Sequence, residues 1–276
     1  MFARISVGLD GSPHADTALT DAMRIAAASG GTVRGIHVVD RSMLEGSFAA
    51  DLAASVGFQP FLNLTAEMRR ALASAGEAIV ASFETRAKEL GLPFTRALVE
   101  GSVSELLGKA ARECDLFVAG SRGVNAPHRG DLVGRHADAL ARRLRSPLLL
   151  APETYKEFRS PLLAYDSSVK AQRALELAAE LATLLKLPLE VLTVTENEAE
   201  GKARLAEAEK ALAGRGIGTN FLARGGEPDD AILAEIEGGA DLVAMGAHGH
   251  GRIRELMLGS TTDSVLRRAT VPVLCA

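Results

Sequence analysis

The sequence predicts an α/β fold made of two tandem, doubly wound (Rossmann-like) parallel-sheet domains. Three observations lead there. Short apolar runs alternate with segments of helical period, the mark of βαβ units. Those runs are apolar on both faces, as in a sheet covered by helices on either side. The whole pattern then occurs twice, residues 3–40 reading again at 159–196 and residues 115–150 at 241–275.

The repeat holds residue by residue. Asp10, Ala15, Ala18, Leu19 and Ala22 match Asp166, Ala171, Ala174, Leu175 and Ala178, each 156 positions on. Asp115 and Gly120 match Asp241 and Gly246 at an offset of 126, so the first half carries 30 extra residues before that point. Arg142, Arg143 and Pro147 match Arg267, Arg268 and Pro272 at an offset of 125. A period this long means two whole domains rather than a solenoid of short units. We expect domains at 1–152 and 157–276, joined by a short linker near 152–158.

Strands are expected near 3–9, 33–39, 94–99, 115–120 and 147–151, and again near 160–165, 189–195, 219–223, 241–246 and 271–275. Ser12 and Pro13 open the first helix as N-cap and first-turn proline. Ala15, Ala18, Leu19 and Ala22 then line one face at helical spacing. Glu227-Pro228-Asp229-Asp230 opens the third helix of the second half, acidic where the helix dipole favours it. Right-handed crossovers give an open sheet with its ligand crevice at the carboxyl ends of the strands. The extra residues fall around 41–70, ahead of a long helix near 65–90. They include Phe48, Phe58, Pro60, Phe61 and Leu62. This insertion either caps that helix or serves as a dimer contact or a lid.

Composition narrows the function. Hydrophobic residues are 47% and charged residues 24% of 276, as in an ordinary globular protein. A net charge of −4 without a long basic run argues against nucleic acid or anionic membrane as the main partner. No tryptophan and 4% aromatics argue against a base-stacking platform. No apolar run approaches a membrane span, and the strand beginning at Ile5 leaves no room for a secretion signal. Cys114 and Cys275 fall in or beside strand patterns and read as reduced core thiols. The expected location is cytoplasmic.

The chemistry concentrates after the fourth strand of the second half. That strand ends at Gly246, and Gly249 and Gly251 follow. Glycines there admit backbone conformations closed to other residues and let bare N–H groups approach phosphate oxygens. Gly259-Ser260-Thr261 then precedes a helix, whose N-terminus is a ready anion site. The two hydroxyls could donate to phosphate or support Mg²⁺. In the bland alternative, Ser260 only caps the helix and the glycines only turn the chain. The loop is neither a Gly-Lys-Ser/Thr phosphate loop nor a dinucleotide fingerprint.

A first strand ending in Asp, Gly246-x-x-Gly249, nine residues, Gly259-Ser260 and a final strand Val271-Pro-Val-Leu together resemble the universal stress protein family in its tandem form. The resemblance covers the chain except the insertion, and the glycine pattern is that of the family's ATP-binding branch. It implies that Asp166 and Val194 hold the adenine and ribose end, with Ala164 and Tyr165 lining it. It implies that Gly246, His248, Gly249, His250, Gly259, Ser260 and Thr261 surround the phosphates of ATP with Mg²⁺. It also implies pairing through the last strands, within the chain or between two chains as a homodimer.

The first half departs from this pattern. Asp10, Val38, Gly120, Arg122 and Gly123 keep their places, but ten residues rather than nine lead to Gly134, and Arg135-His136 replaces Ser260-Thr261. Arg135 either fills the phosphate space or binds phosphate itself, with Arg122, Arg129 and His128. We expect a weakened site. Neither His248 with His250 nor His128 with His136 has a further ligand at zinc spacing, so no directly ligated metal is expected. His14 and His37 read as structural. No nucleophile, base and orienting group are spaced for catalysis. The chain reads as an adenine-nucleotide-binding regulatory module, with slow ATP hydrolysis or a nucleotide-free scaffold as alternatives.

Overall fold

A computed structural model describes residues 1–40, 58–123, 135–143, 146–247 and 258–276. The first half runs β1 (Arg4–Gly8), α1 (Pro13–Ser29), β2 (Thr32–Asp40), α2 (Phe58–Glu89), β3 (Phe94–Gly101), α3 (Val103–Arg112), β4 (Leu116–Gly120), α4 (Arg135–Arg143) and β5 (Leu148–Ala151). The second runs β6 (Pro161–Ala164), α5 (Val169–Leu185), β7 (Leu189–Val194), α6 (Glu198–Leu212), β8 (Thr219–Arg224), α7 (Pro228–Glu237), β9 (Leu242–Met245), α8 (Ser260–Arg268) and β10 (Val273–Cys275). The α/β reading holds, and every expected strand lies within two residues of its expected ends.

The strands form one sheet in the order β3-β2-β1-β4-β5-β10-β9-β6-β7-β8. All neighbours are parallel except β5 and β10, which pair antiparallel with Leu149 opposite Leu274. Each half therefore winds outward from a switch point, between β1 and β4 and between β6 and β9. The antiparallel seam makes the carboxyl edges of the two halves face opposite ways.

Alternation along the strands feeds two cores. Val7, Val118, Leu149, Leu163 and Ala244 face α1, α2, α5 and α6, in a cluster that runs through both halves. Phe117, Leu150, Leu162, Val243 and Met245 face α3, α4, α7 and α8. α1 and α5 pack against each other across the seam.

The repeat reaches down to individual hydrogen bonds. Ser12 Oγ accepts from Ala15 N at 3.1 Å, and Ser168 Oγ accepts from Ala171 N at 3.0 Å, capping α1 and α5. Both helices end in a left-handed residue, Gly30 (φ 64°) and Lys186 (φ 56°). Lysine tolerates that conformation less well than glycine, so the second copy carries a small local strain.

One boundary differs from expectation. α2 begins at Phe58 rather than near 65, taking in Pro60, Phe61 and Leu62. Proline in a first turn removes an N–H that has no intrahelical acceptor, so Pro60 starts the helix instead of breaking it. The Phe83 ring lies over Gly35, where a Cβ would meet it at 2.7 Å, and stacks edge-on against Phe94 at 5.9 Å. Phe48 and the rest of the insertion up to residue 57 lie outside the described residues.

Candidate functional site

The second-half crevice begins with the turn after β6. Asp166 Oδ1 accepts from Ser168 N at 3.0 Å, which fixes the carboxylate at the head of α5. Ser167 between them is left-handed (φ 62°), where the first half has Gly11 (φ 77°). Asp166 itself is exposed, facing the space a ligand would use.

Ala164 and Tyr165 go to opposite faces of the sheet. Ala164 and Val194 lie half-buried on the α7–α8 side, beside Leu222. The Tyr165 side chain is buried on the α5–α6 side, where its hydroxyl donates to Glu207 Oε1 at 2.8 Å. Burial pushes the phenol up to about 12, with Glu207 adding to the shift. Glu207 is held below the usual carboxylate range by the Tyr165 hydroxyl, with Ser167 and Gln172 helping. Gln172 Nε2 also donates to Glu207 at 3.0 Å. What Tyr165 leaves at the crevice is therefore backbone.

Gly246 ends β9 against the first turn of α5. A Cβ built there would lie 2.8 Å from Lys170 Cβ and 3.2 Å from Ala171 N. Close packing is thus sufficient reason for glycine at 246. The Gly246 carbonyl accepts from Thr262 Oγ1 at 3.0 Å, which ties the end of β9 to the first turn of α8. Gly259 is the N-cap of α8 and supplies no side-chain cap. Ser260 is exposed, Thr261 half-buried and Thr262 buried. Among the described residues no side chain caps the first N–H groups of α8, the condition under which a helix end takes an anion. His248, Gly249 and His250 lie outside the described residues, as does Gly251.

Charge around α8 is balanced locally. Asp263 is held below the usual carboxylate range by Arg267 and, across the seam, by Arg142, whose Nη2 lies 3.0 Å away. Arg268 pairs with Asp230 at 2.9 Å. Asp263 lies in the first turn of α8, and its pairing with Arg267 and Arg142 offsets the negative charge it brings there.

The first-half crevice repeats the frame with different contents. Asp10 Oδ1 accepts from Ser12 N at 2.9 Å. A Cβ on Gly120 would come within 2.7 Å of His14 Cβ, and one on Gly123 within 2.9 Å of Asp10 Oδ2. Burial lowers the His14 pKa, opposed by Glu153 and reinforced by Arg122. Val38 is half-buried on β2. His37 Nδ1 sits 2.7 Å from Leu9 O, a bond that serves the strand rather than a ligand. Arg135 opens α4, but its side chain, like Gly134, lies outside the described residues. Among the described residues, no three His, Cys, Asp or Glu side chains gather as for a metal ion.

The chain as a whole has relatives among known proteins. The universal stress protein family profile matches residues 1–152 and 195–276. The chain belongs to the universal stress protein family. Universal stress protein Slr1230 of Synechocystis is 28% identical, with 96% of each chain covered. Universal stress protein Rv1996 of Mycobacterium tuberculosis is 26% identical over 99% of this chain and 94% of its own. The crystal structure of a universal stress protein from Archaeoglobus fulgidus covers 100% of this chain and 98% of its own, with a TM-score of 0.75 at 21% identity. That likeness extends the family fold over both halves. No helix among the described residues is long and apolar enough to cross a membrane.

Two residues at the crevice escaped the sequence reading. Thr262 is the third hydroxyl in Ser260-Thr261-Thr262, and only the fold shows that it turns inward to Gly246. Lys170 matches His14 at the repeat offset of 156, a signal visible in the sequence but silent until Gly246 is seen beside it.

Proposed function

We propose that the second half binds ATP with Mg²⁺ and that the protein acts by nucleotide occupancy rather than turnover. The observation that carries this reading is the uncapped start of α8 beside the end of β9, with the exposed Asp166 carboxylate on the opposite lip of the same crevice. Phosphate oxygens would take the N–H groups at Ser260, Thr261 and Thr262. The Ser260 and Thr261 hydroxyls suit donation to phosphate or support of a magnesium ion held chiefly by phosphate oxygens. Asp166 and Val194 would receive the ribose and adenine, Ala164 would line that end, and His248, Gly249 and His250 would join Gly246 and Gly259 around the phosphates. The sequence spaces no nucleophile, base and orienting group for catalysis, and we therefore read the site as one that holds a nucleotide. Binding would favour one arrangement of the loop and shift the conformations a partner meets.

In this reading residues 1–152 form a domain with a weakened site and residues 157–276 one with a working site. The seam between β5 and β10 lets the first stabilise the second within one chain. Cys114 and Cys275 are buried and unbridged, in keeping with a reducing, cytoplasmic setting.

Copying the first half into the second tests the assignment. Ser260→Arg is expected to lower Mg-ATP affinity by roughly tenfold while leaving the melting temperature of the free protein unchanged, since Ser260 is exposed. Ligand-induced thermal stabilisation reports it. Unchanged stabilisation by Mg-ATP would remove α8 from the site.

A further inference from the structure

Lys170 stands where the elements of the second-half crevice converge. It lies in the first turn of α5, four residues after Asp166, and its Cβ is the atom closest to a Cβ built on Gly246. The Gly246 carbonyl in turn holds Thr262 of α8. The root of Lys170, the end of β9 and the first turn of α8 are therefore contiguous, and the four-carbon stem lets the ammonium reach along them. The side chain is half-buried. Among the described residues its ammonium makes no ion pair or hydrogen bond, and Asp166, two residues ahead of the N-cap Ser168, is turned instead to the Ser168 N–H.

The first half offers a contrast. His14 occupies the equivalent place, with its Cβ against Gly120. Burial lowers its pKa, and the Arg122 guanidinium close by lowers it further. The second crevice carries a lysine in the helix itself at this position, where the first carries an imidazole.

We propose that Lys170 contacts the phosphates of the nucleotide and makes the second-half site select phosphorylated nucleotides over the free nucleoside. This rests on the adenine-nucleotide reading of that crevice. An ammonium meets phosphate as a compact point charge, so its effect rises with ligand charge and falls with added salt.

Calorimetric titrations of the nucleotide-stripped full chain with Mg-ATP and with adenosine test it, using wild type, Lys170→Met and Lys170→Arg. The methionine variant is expected to lose roughly tenfold in Mg-ATP affinity, keep adenosine affinity within about twofold, and show a weaker salt dependence for ATP. The arginine variant is expected to restore most of the ATP affinity. Equal losses for ATP and adenosine, no loss for either, or no rescue by arginine would overturn the proposal. A wild type that binds neither ligand would overturn the underlying nucleotide reading, and Lys170's role with it. Melting curves of the free variants separate lost binding from lost folding.

Discussion

Asp21→Leu is expected to stabilise the protein, and the gain should grow from pH 5 to pH 8. Asp21 is on α1, is 0% exposed, and neither carboxylate oxygen has a hydrogen-bond partner among the described residues. Burial pushes its carboxyl up to about 8, against the opposing pull of Arg24. Arg24 is engaged elsewhere: its Nη2 donates to Phe158 O at 3.3 Å and lies 3.4 Å from Glu157, and its guanidinium rides over the Phe158 ring. The folded-state pKa lies above the unfolded one, so the folded chain retains a proton that the unfolded chain releases. Stability from this group is fully present below the ordinary value of 3.8 and is lost as pH rises through about 8. A shift of that size corresponds to about 6 kcal/mol, so a net gain of several kcal/mol near pH 8 is expected from removing the carboxyl. Leucine is what the repeat itself places there, as Leu177. Urea unfolding at pH 5 and pH 8 checks this. Wild type and variant profiles that run parallel in pH would mean Asp21 has a partner or ionises freely.

Gly249→Val is expected to weaken Mg-ATP binding by roughly 100-fold, about 2.7 kcal/mol, while the fold survives. Gly249 matches Gly123 at the repeat offset of 126. In the first half a Cβ on Gly123 would lie 2.9 Å from Asp10 Oδ2. A valine at the repeat-equivalent of Gly123 adds bulk where our reading puts phosphate, and overpacking alone costs about 1–3 kcal/mol. The strands and helices around it remain intact, so the circular dichroism spectrum and the melting temperature without ligand should stay near wild type. Full retention of ATP affinity would remove this glycine from any phosphate loop.

Most of the fold was legible because its signals are local. Apolar runs such as Leu116–Gly120 and Leu242–Met245 are short, buried on both faces and repeated. The Ser12 and Ser168 caps follow from residue type alone. What was not legible depends on contacts between distant elements. Periodicity gives no register: pairing through the last strands was expected from the family resemblance alone, and the antiparallel register of β5 and β10 emerges only from the assembled sheet. Asp21 lies off the alanine stripe of α1, and its full burial is visible only in the assembled fold, where α1 packs on α5. Tyr165 sits one residue from Ala164, yet strand alternation sends its ring to the far face, where Glu207 waits on α6. Lys170 looked like an ordinary first-turn residue because its meaning comes from Gly246, which is 76 positions away in the sequence.

The central claim is one working nucleotide site, in the second half. Calorimetric titration of nucleotide-stripped protein with Mg-ATP tests it through the stoichiometry. The account predicts one ATP per chain, with the affinity lowered roughly 100-fold in Gly249→Val. Absence of both heat and thermal stabilisation would contradict the nucleotide reading. A stoichiometry of two would contradict the weakened first half and make Arg135 and Arg122 phosphate ligands in their own right.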